Sequence, residues 1–213
     1  MKIICVGRNY GEHIRELSND IPKEPVIFLK PESALLQNNK PFNIPAFSSD
    51  VHYECELIVR IKCSGSKIAL SAADRYYDEI GLGIDFTARD LQNKLKDKGL
   101  PWEKSKAFDS SAVVGVDFIQ KDRLPDINSI KFELRKNGEV VQSGDSAFML
   151  FSINEIISHI SDYFTLDAGD LIYTGTPAGV GAVVVGDRLE GFLEGKKIFD
   201  FMCNIYIKPS SIF

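Results

Sequence analysis

Three polar residues alternate in the segment VHYECELIVRI: His52, Glu54 and Glu56. The apolar and β-branched residues that follow predict a strand, in which every second side chain points to the same face. His52, Glu54 and Glu56 are therefore expected on one face. Two neighbouring carboxylates repel one another unless a cation, a proton or water offsets their charge. The pattern fits either an ordinary solvent-facing strand or a pair of ligands for a divalent metal ion.

A third carboxylate, Asp85, ends the strand-like segment IGLGIDF, directly before a predicted helix. A carboxylate at a strand end is well placed to project into a site, although it can also serve a turn or a helix N-terminus. Together with Glu54 and Glu56, it would complete a ligand set made only of oxygen. Such a set suits a hard cation, Mg²⁺ before Mn²⁺ or Ca²⁺.

The segment GRNYGEHIREL places His13 and Glu16 three residues apart, on the same face of a short predicted helix. Histidine can act as a general base near neutral pH, and a carboxylate can orient it and stabilise its charged form. A surface ion pair is the alternative and, taken alone, the more common case. Arg8 and Asn9 lie in the loop before this helix, where they could bind a substrate carboxylate.

Two further segments could contribute to a site. LPWEKSKAFDSS contains Lys104 and Lys106, and the residues alone do not decide which of the two would face it. YTGTPAGVG follows a predicted strand, and its glycines would let the backbone approach a ligand. This segment has neither the P-loop ending nor the glycine spacing of a dinucleotide site, so nucleotide binding is not predicted.

The 213-residue chain is 44% hydrophobic and 26% charged, as is usual for a globular protein. Its formal net charge of -5 predicts no nucleic-acid surface, and no segment approaches the length of a membrane span. There is no signal-peptide pattern and no C-x-x-C pair, so reduced thiols and a cytoplasmic location are expected. In the absence of repeats and linkers, residues 1–213 are predicted to form a single domain.

Strand-like segments dominate the chain, from KIICVG at the start to KKIFDFMCNIYIK near the end. Asn137–Gly138 predicts a tight hairpin between two of them. Helices are few and short, and Thr87 with Asp90 and Ser152 with Glu155 predict capping boxes that open two of them. Many strands, few peripheral helices and no regular βαβ alternation predict an α+β, mainly β architecture.

Six segments, taken in order, resemble the signature blocks of the fumarylacetoacetate hydrolase family: GRNYGEHIREL, EPVIFLKP, HYECEL, GIDFTARDLQ, KGLPWEKSKAFD and YTGTPAGVG. The resemblance is closest to the single-domain branch that includes acylpyruvate hydrolases and oxaloacetate decarboxylases. It implies a mixed β-sheet roll with a few peripheral short helices. It also implies a homodimer with each site near the subunit interface.

The same resemblance implies roles for ten residues. The implied metal ligands are Glu54, Glu56 and Asp85. The implied catalytic residues are His13, Glu16 and Lys106. The implied substrate contacts are Arg8, Asn9, Gln92 and Thr176. His52, which opens the motif, has no assigned role, and we expect it to support the site or face the substrate rather than bind the metal.

These roles imply a Mg²⁺-dependent hydrolase that cleaves a carbon–carbon bond in acylpyruvate-type 2,4-dioxo acids. His13 with Glu16 would deprotonate a water that attacks the distal carbonyl, and cleavage would leave a pyruvate enolate. The metal and Lys106 would stabilise that enolate. Three carboxylates around one Mg²⁺ leave a deficit of one positive charge, which gives a nearby lysine an electrostatic role. Oxaloacetate could lose CO₂ to form the same enolate.

Two alternatives remain open from the sequence. One is an isomerase or decarboxylase acting on 2-hydroxyhepta-2,4-diene-1,7-dioate-type substrates in aromatic catabolism, which needs proton transfer but no attacking water. The other is a non-catalytic binding protein on the same scaffold. Many relatives carry Cys-Pro or Gly-Pro after the lysine, where this chain reads DSSAVVG. That departure leaves the identity of the small 2-oxo acid substrate open.

Overall fold

A computed structural model describes residues 1–17 and 20–205. Within these ranges the chain forms sixteen strands and four α-helices. The strands are β1 Ile3–Gly7, β2 Val26–Lys30, β3 Leu35–Leu36, β4 Phe42–Ile44, β5 Val51–Tyr53, β6 Cys55–Ile61, β7 Tyr77–Asp85, β8 Thr87–Ala88, β9 Ala112–Val114, β10 Ile119–Gln120, β11 Lys131–Lys136, β12 Glu139–Asp145, β13 Leu171–Tyr173, β14 Gly181–Ala182, β15 Arg188–Leu193 and β16 Lys196–Ile205. The helices are α1 Gly11–Glu16, α2 Arg89–Asp97, α3 Glu103–Lys106 and α4 Ile153–Tyr163.

The strands of the described residues form three sheets. The largest has eight strands in the order β2-β1-β13-β6-β7-β9-β3, with β10 paired to β7. It is mixed, because β1 runs parallel to β13 while β6 runs antiparallel to both β13 and β7. A second sheet has the order β12-β11-β15-β16-β4, and a small third sheet has the order β14-β5-β8. The predicted mainly β architecture with a mixed sheet and few short helices is confirmed.

The core is built from alternate residues of the long strands. Leu57 and Val59 on β6 lie with Ile80 and Leu82 on β7 in one apolar cluster, and each is fully buried. Successive side chains of a strand point to opposite faces, so the remaining residues of β6 and β7 lie on the other side of the sheet. On β6 this other face carries Glu56, whose carboxyl group is buried.

The predicted hairpin and one predicted capping box are confirmed. Asn137 and Gly138 join β11 to β12 with φ values of 56° and 89°, as the tight turn requires. Ser152 caps α4, and its hydroxyl and the Glu155 carboxylate each accept a hydrogen bond from the other residue's backbone N–H. Cys55 on β6 and Cys203 on β16 are fully buried.

The capping box predicted for Thr87 and Asp90 is wrong. Helix α2 begins at Arg89, and no side chain caps its N-terminus. Asp90 accepts a hydrogen bond from Ser48 Oγ at 2.6 Å, and the Thr87 hydroxyl accepts one from Lys106 Nζ at 2.6 Å. A buried ammonium needs such oxygen partners, so the threonine serves the lysine instead of the helix.

The strand predicted from Cys55 onward is observed as β6, but the residues before it form a separate short strand, β5. The chain leaves the small third sheet after Tyr53 and enters the eight-stranded sheet at Cys55, so Glu54 lies at the crossing between the two. The backbone carbonyl of Glu54 accepts a hydrogen bond from Asp85 N at 2.8 Å. This crossing separates His52 from the face that carries the two glutamates.

None of the helices in the described ranges is long and apolar enough to cross a membrane. The last predicted strand, KKIFDFMCNIYIK, is observed as far as residue 205. Positions 206–208 of that segment lie outside the described residues.

Candidate active site

The three predicted metal ligands lie together at one end of β6 and β7. Glu54, Glu56 and Asp85 offer carboxylate oxygen atoms that all lie within 4.8 Å of one another. Glu54 directly precedes β6, and Asp85 ends β7, which runs antiparallel beside it. Their exposed fractions are 5%, 2% and 1%. Ordinary solvent-facing glutamates are thus excluded at these positions.

Three buried cations surround the carboxylates. Lys106 Nζ donates hydrogen bonds to Glu54 Oε2 at 2.8 Å and to Asp85 Oδ2 at 2.7 Å. Lys30 Nζ lies 2.6 Å from Asp85 Oδ1, and Arg89 donates to Glu54 Oε1. Each pair is almost completely excluded from water, so their mutual attraction is weakly screened.

Lys106 reaches this group because the short helix α3 presents it inward. Both Lys106 and its neighbour Ser105 are buried, whereas Lys104 is exposed. The Ser105 hydroxyl donates to the carbonyl of Trp102 at 2.7 Å, which fixes the turn. The ambiguity between the two lysines, which the residues alone left open, is settled by this turn.

Positive charge surrounds Glu54. Burial alone would raise the pKa of its carboxyl group. The nearby charges of Lys106, Arg89 and His13 outweigh that effect and hold the pKa well below its usual range. Glu54 therefore stays ionised over the whole physiological pH range.

Glu56 has the opposite environment. Burial, and then the charges of Asp85 and Glu54, raise its pKa well above the usual range. The charge of Lys106 and the backbone N–H of Gly175, which donates to Glu56 Oε2 at 2.7 Å, offset only part of this effect. Without a further cation beside it, the Glu56 carboxyl group therefore holds its proton more tightly than an ordinary glutamate does.

These residues fit a hard divalent cation. Three carboxylates converge with their oxygen atoms in reach of a single ion, and all-oxygen sets are what Mg²⁺, Mn²⁺ and Ca²⁺ prefer. A carboxylate oxygen has two lone pairs, so an oxygen that accepts one hydrogen bond can still bind a metal ion. The raised pKa of Glu56 is itself a sign of missing positive charge, which a cation would supply in place of the proton.

The charge balance in the structure differs from the one expected from the sequence. The sequence predicts three carboxylates opposed by one Mg²⁺ and one lysine. The structure adds Lys30 and Arg89, so three buried cations equal the three carboxylates in number. Their ion pairs are with Glu54 and Asp85, which leaves Glu56 without a cation partner among the described residues. A bound divalent cation would leave an excess of two positive charges in this group. Such a site complements an anionic ligand with up to two negative charges.

His13 and Glu16 form the predicted pair. His13 Nδ1 lies 3.1 Å from Glu16 Oε2, and His13 is 6% exposed while lining the same cavity as the metal triad. Glu16 is held in turn by the backbone N–H of Gly179, which donates to its Oε1 at 3.1 Å. Because Nδ1 is bonded to Glu16, Nε2 is the ring nitrogen left to exchange a proton.

The carboxylates, His13 and Lys106 line one cavity. Three of the four predicted substrate contacts, Arg8, Gln92 and Thr176, line it as well. Gln92 accepts a hydrogen bond from Arg89 at 2.6 Å, and Thr176 donates to the carbonyl of Cys55 at 2.8 Å. The charged and hydrogen-bonding groups of this lining suit a small organic acid.

Asn9, the fourth predicted substrate contact, has a different position. It is fully buried and does not line the cavity. Its side-chain nitrogen donates to the carbonyls of Thr174 at 2.8 Å and Phe151 at 3.1 Å, and its oxygen accepts from Phe151 N at 2.8 Å. Asn9 therefore ties the loop after β1 to the segment that supplies Gly175 N–H to Glu56. A Cβ at Gly175 would lie 2.7 Å from Asn9 Cβ, so this approach requires glycine.

His52 lies outside the cavity as well. Its Nε2 is 2.8 Å from Asp50 Oδ1, and its backbone pairs with Thr87 and Ala182 in the small third sheet. Among the described residues, none of these contacts of His52 reaches the metal triad or the cavity. Its role at the site, expected from the sequence, stays a prediction.

Reasoning from the residues missed Lys30 and Arg89. Both lie inside segments that carry the family resemblance, EPVIFLKP and GIDFTARDLQ. Lys30 ends an otherwise apolar strand and is 2% exposed, and a charged residue in such a position was the available signal. Arg89 follows Thr87 and Ala88 directly, and only the position of α2 shows that it turns back toward Glu54.

Known proteins are similar to this chain over most of its length. The sequence matches the fumarylacetoacetate (FAA) hydrolase C-terminal family over residues 2–200. It is 43% identical over 193 residues to the mitochondrial oxaloacetate tautomerase of Rattus norvegicus, which covers 91% of this chain and 87% of that protein. It is 43% identical over 195 residues to the mitochondrial oxaloacetate decarboxylase of Dictyostelium discoideum, covering 91% of this chain and 89% of that protein.

A solved structure gives the same result for the fold. The crystal structure of fumarylpyruvate hydrolase from Pseudomonas aeruginosa in complex with Mn²⁺ and pyruvate matches with a TM-score of 0.91 and 34% identity. The match covers 97% of this chain and 90% of that one. The resemblance seen in the six sequence segments is confirmed, and the chain belongs to the fumarylacetoacetate hydrolase family.

Proposed function

We propose that this protein is a metal-dependent enzyme that generates the enolate of a small 2-oxo acid, and that it hydrolyses acylpyruvate-type 2,4-dioxo acids. The observation that carries the proposal is the convergence of an acid–base pair, a buried carboxylate triad and a buried lysine on one cavity. A binding protein on the same scaffold would need neither the His13–Glu16 contact nor the burial of three cations.

The metal would be held by Glu54, Glu56 and Asp85. Mg²⁺ is the proposed ion, with Mn²⁺ or Ca²⁺ as substitutes, and Mn²⁺ is the ion in the similar Pseudomonas structure. When bound, such an ion supplies Lewis acidity toward the carboxylate and 2-oxo oxygens of the substrate. Arg89 and Lys30 hold two of the carboxylates in place through their contacts with Glu54 and Asp85.

His13 is the proposed general base. For an acylpyruvate it removes a proton from water, and the hydroxide oxygen attacks the distal carbonyl carbon. The bond between that carbon and the CH₂ group then breaks, giving a carboxylic acid and a pyruvate enolate that takes up a proton to become pyruvate. Glu16 fixes the imidazole through Nδ1 and stabilises its charged form.

Lys106 is the proposed electrostatic stabiliser of the enolate. Its ammonium group is fixed by contacts with Glu54, Asp85 and Thr87, so it needs no rearrangement as negative charge develops. Burial lowers the pKa of Lys106, but the charges of Asp85 and Glu54 raise it more, so the net shift is upward and the group stays positively charged.

Oxaloacetate is a second candidate substrate at the same site. The observation that favours it is the 43% identity to proteins described as oxaloacetate tautomerase and oxaloacetate decarboxylase. Decarboxylation releases CO₂ and leaves the same pyruvate enolate, which then takes up one proton. Tautomerisation moves a proton from C3 to the 2-oxo oxygen and needs no attacking water. The isomerase alternative for diene-dioate substrates rests on the same kind of proton transfer.

A substrate panel tests these proposals. Pyruvate release would be measured from acylpyruvates and oxaloacetate, and isomerisation from diene-dioates, each with Mg²⁺ and with EDTA. Metal-dependent pyruvate release from acylpyruvates supports hydrolysis. Turnover of oxaloacetate or of a diene-dioate alone would replace hydrolysis by the alternative, and no turnover of any substrate would contradict an enzyme of this class. The exposed Lys104→Ala variant is a control that should match the parent.

The homodimer and the cytoplasmic location remain predictions from the sequence. Both curated relatives named above are described as mitochondrial, so the compartment needs direct measurement. Sedimentation of the purified protein would test the dimer.

A further inference from the structure

We propose that Lys96 binds the distal carboxylate of a dianionic 2-oxo acid, and so selects substrates that carry a second negative charge. This inference rests on the proposed function, because it places the 2-oxo acid end of the substrate at the metal triad. Lys96 would be a specificity residue that contacts the substrate without taking part in proton transfer.

The first observation is the face of α2 that borders the cavity. Arg89, Gln92 and Lys96 follow each other at spacings of three and four residues, which is one face of a helix, and all three line the cavity. Arg89 contacts Glu54 at the inner end of the cavity. Lys96, on the next turns of the same face, is half-buried. The face therefore carries positive charge outward from the metal triad.

The second observation is an aromatic wall with a lysine at each end. Lys106 Nζ lies 5.1 Å from the centre of the Phe28 ring, and Lys96 Nζ lies 5.5 Å from the centre of the Trp102 ring. The two rings meet edge to face with centroids 6.3 Å apart, and both line the cavity. A short carbon chain along this wall would have an ammonium group near each of its ends.

The third observation is that Lys96 and Arg8, the two cations at the mouth of the cavity, have no anionic partner within the described residues. No carboxylate oxygen of residues 1–17 and 20–205 forms an ion pair with Lys96 or Arg8, whereas Lys106 has two. Burial lowers the pKa of Lys96, and the charges of Arg8, Arg89 and Lys106 lower it further. An anion bound at this position would relieve that repulsion, so the cavity favours a ligand carboxylate here.

Position on the helix distinguishes Lys96 from an ordinary surface lysine. Lys94 lies on the same helix and Lys98 directly after it, and both are exposed. Neither lines the cavity. They are matched controls, because replacing them changes the net charge of the protein equally without changing the cavity.

The test compares two substrates that differ at the far end. Oxaloacetate carries a distal carboxylate, and acetylpyruvate carries an uncharged acetyl group in the same place. In Lys96→Met, kcat/KM for oxaloacetate should fall by about 10- to 100-fold, the value of a charge-assisted hydrogen bond. The value for acetylpyruvate should change by less than about 3-fold. Lys96→Arg should retain most of the oxaloacetate activity, and Lys98→Met should match the parent.

Binding of unreactive ligands gives a second readout that does not depend on turnover. L-malate and L-lactate differ only by the distal carboxylate, and their affinity for the Mg²⁺-loaded protein can be measured by calorimetry. The parent should prefer malate, and Lys96→Met should lose that preference by a similar factor. Circular dichroism and the thermal midpoint of Lys96→Met should match those of the parent.

The outcomes separate the two proposals. If the parent turns over neither substrate, the proposed function fails. If the parent is active and Lys96→Met lowers kcat/KM equally for both substrates, the assignment of Lys96 is wrong while the proposed function stands. An unchanged preference for malate over lactate in Lys96→Met would overturn the assignment as well.

Discussion

The inner end and the mouth of the cavity differ in how their charges are balanced. At the inner end, Glu54 and Asp85 are paired with Lys106, Lys30 and Arg89, and every one of these side chains is at most 8% exposed. At the mouth, Arg8 and Lys96 are partly exposed and have no carboxylate partner among the described residues. The protein satisfies one set of charges itself and leaves the other set for a ligand.

This difference suggests a division of work. The inner end has a fixed geometry, because its charges hold one another in place and water is excluded. It suits the part that all candidate substrates share, the 2-oxo acid head. The mouth contributes the unpaired cations, so it would decide which substrate is accepted. The buried His13 with Glu16, beside the inner end, would decide which reaction follows. Each of the following predictions tests one side of this division.

The largest effect is expected at the inner end. Glu56→Ala should weaken Mg²⁺ binding by at least about 100-fold and abolish turnover of every substrate. Calorimetric titration with Mg²⁺ measures the affinity. The exposed Glu139→Ala variant removes a carboxylate from β12 and should bind the metal as the parent does. Unchanged metal affinity in Glu56→Ala would contradict the ligand assignment.

In the acid–base pair, His13→Ala should lower kcat for acylpyruvate hydrolysis by about 10²–10⁴-fold, the usual contribution of general acid–base catalysis. Affinity for Mg²⁺ should stay within about 3-fold of the parent, because His13 is not a ligand. Steady-state kinetics and a metal titration of the same preparation measure both. A large loss of metal affinity would contradict separate roles for the metal ligands and His13. Full activity would remove His13 from the mechanism.

Asn9 is expected to act on stability rather than on substrate binding. Asn9→Ala should lower the free energy of unfolding by about 1–3 kcal/mol, because it leaves buried backbone groups of Thr174 and Phe151 without partners. Chemical denaturation measures this, and the exposed Asn93→Ala is the control. A stable Asn9→Ala protein with a strongly raised KM would instead restore the substrate contact expected from the sequence.

The smallest effect is a pH dependence of stability. The pKa of Glu56 is raised in the folded protein. Its contribution to the free energy of unfolding is therefore fully present below pH 4.5, the ordinary pKa of a glutamate, and is lost as the pH rises toward the folded pKa. The pKa of Glu54 is lowered in the folded protein, so its contribution to the free energy of unfolding is lost only at lower pH, as the pH falls below the ordinary pKa of a glutamate. In EDTA, the thermal midpoint of the parent should therefore decrease as the pH rises beyond about 5, and it should decrease more than the midpoint of Glu56→Gln.

Added Mg²⁺ should remove that fall, because the ion takes the place of the proton on Glu56. Calorimetry in two buffers of different ionisation enthalpy should then show proton release on Mg²⁺ binding. Parallel midpoint curves for the parent and Glu56→Gln in EDTA would contradict the assigned environment of Glu56.

Much of the fold followed from local patterns. The alternation of apolar residues in CELIVRI, the Asn137–Gly138 turn and the Ser152 cap depend on residues close in sequence, and all three are observed. The break at Glu54 was not predictable in this way, since it depends on which sheet each half of the segment joins. Thr87 was misassigned for a similar reason, because its partner Lys106 lies nineteen residues away.

The site shows the same limit. The carboxylates and the His13–Glu16 pair have short spacings that indicate their chemistry. Lys30 and Arg89 carry no such spacing, and they matter because the fold brings them to Asp85 and Glu54. Lys96 looks like its exposed neighbours in sequence, and only the position of α2 against the cavity distinguishes it.

The central proposal is that the inner end stabilises the enolate of a 2-oxo acid. Exchange of the methyl protons of pyruvate with D₂O, followed by NMR, tests it without the need to know the natural substrate. The parent with Mg²⁺ should exchange these protons well above the rate of Mg²⁺ in buffer, and EDTA or Glu56→Ala should abolish the excess. Exchange no faster than in buffer, from protein shown by calorimetry to hold Mg²⁺ and pyruvate, would contradict the account.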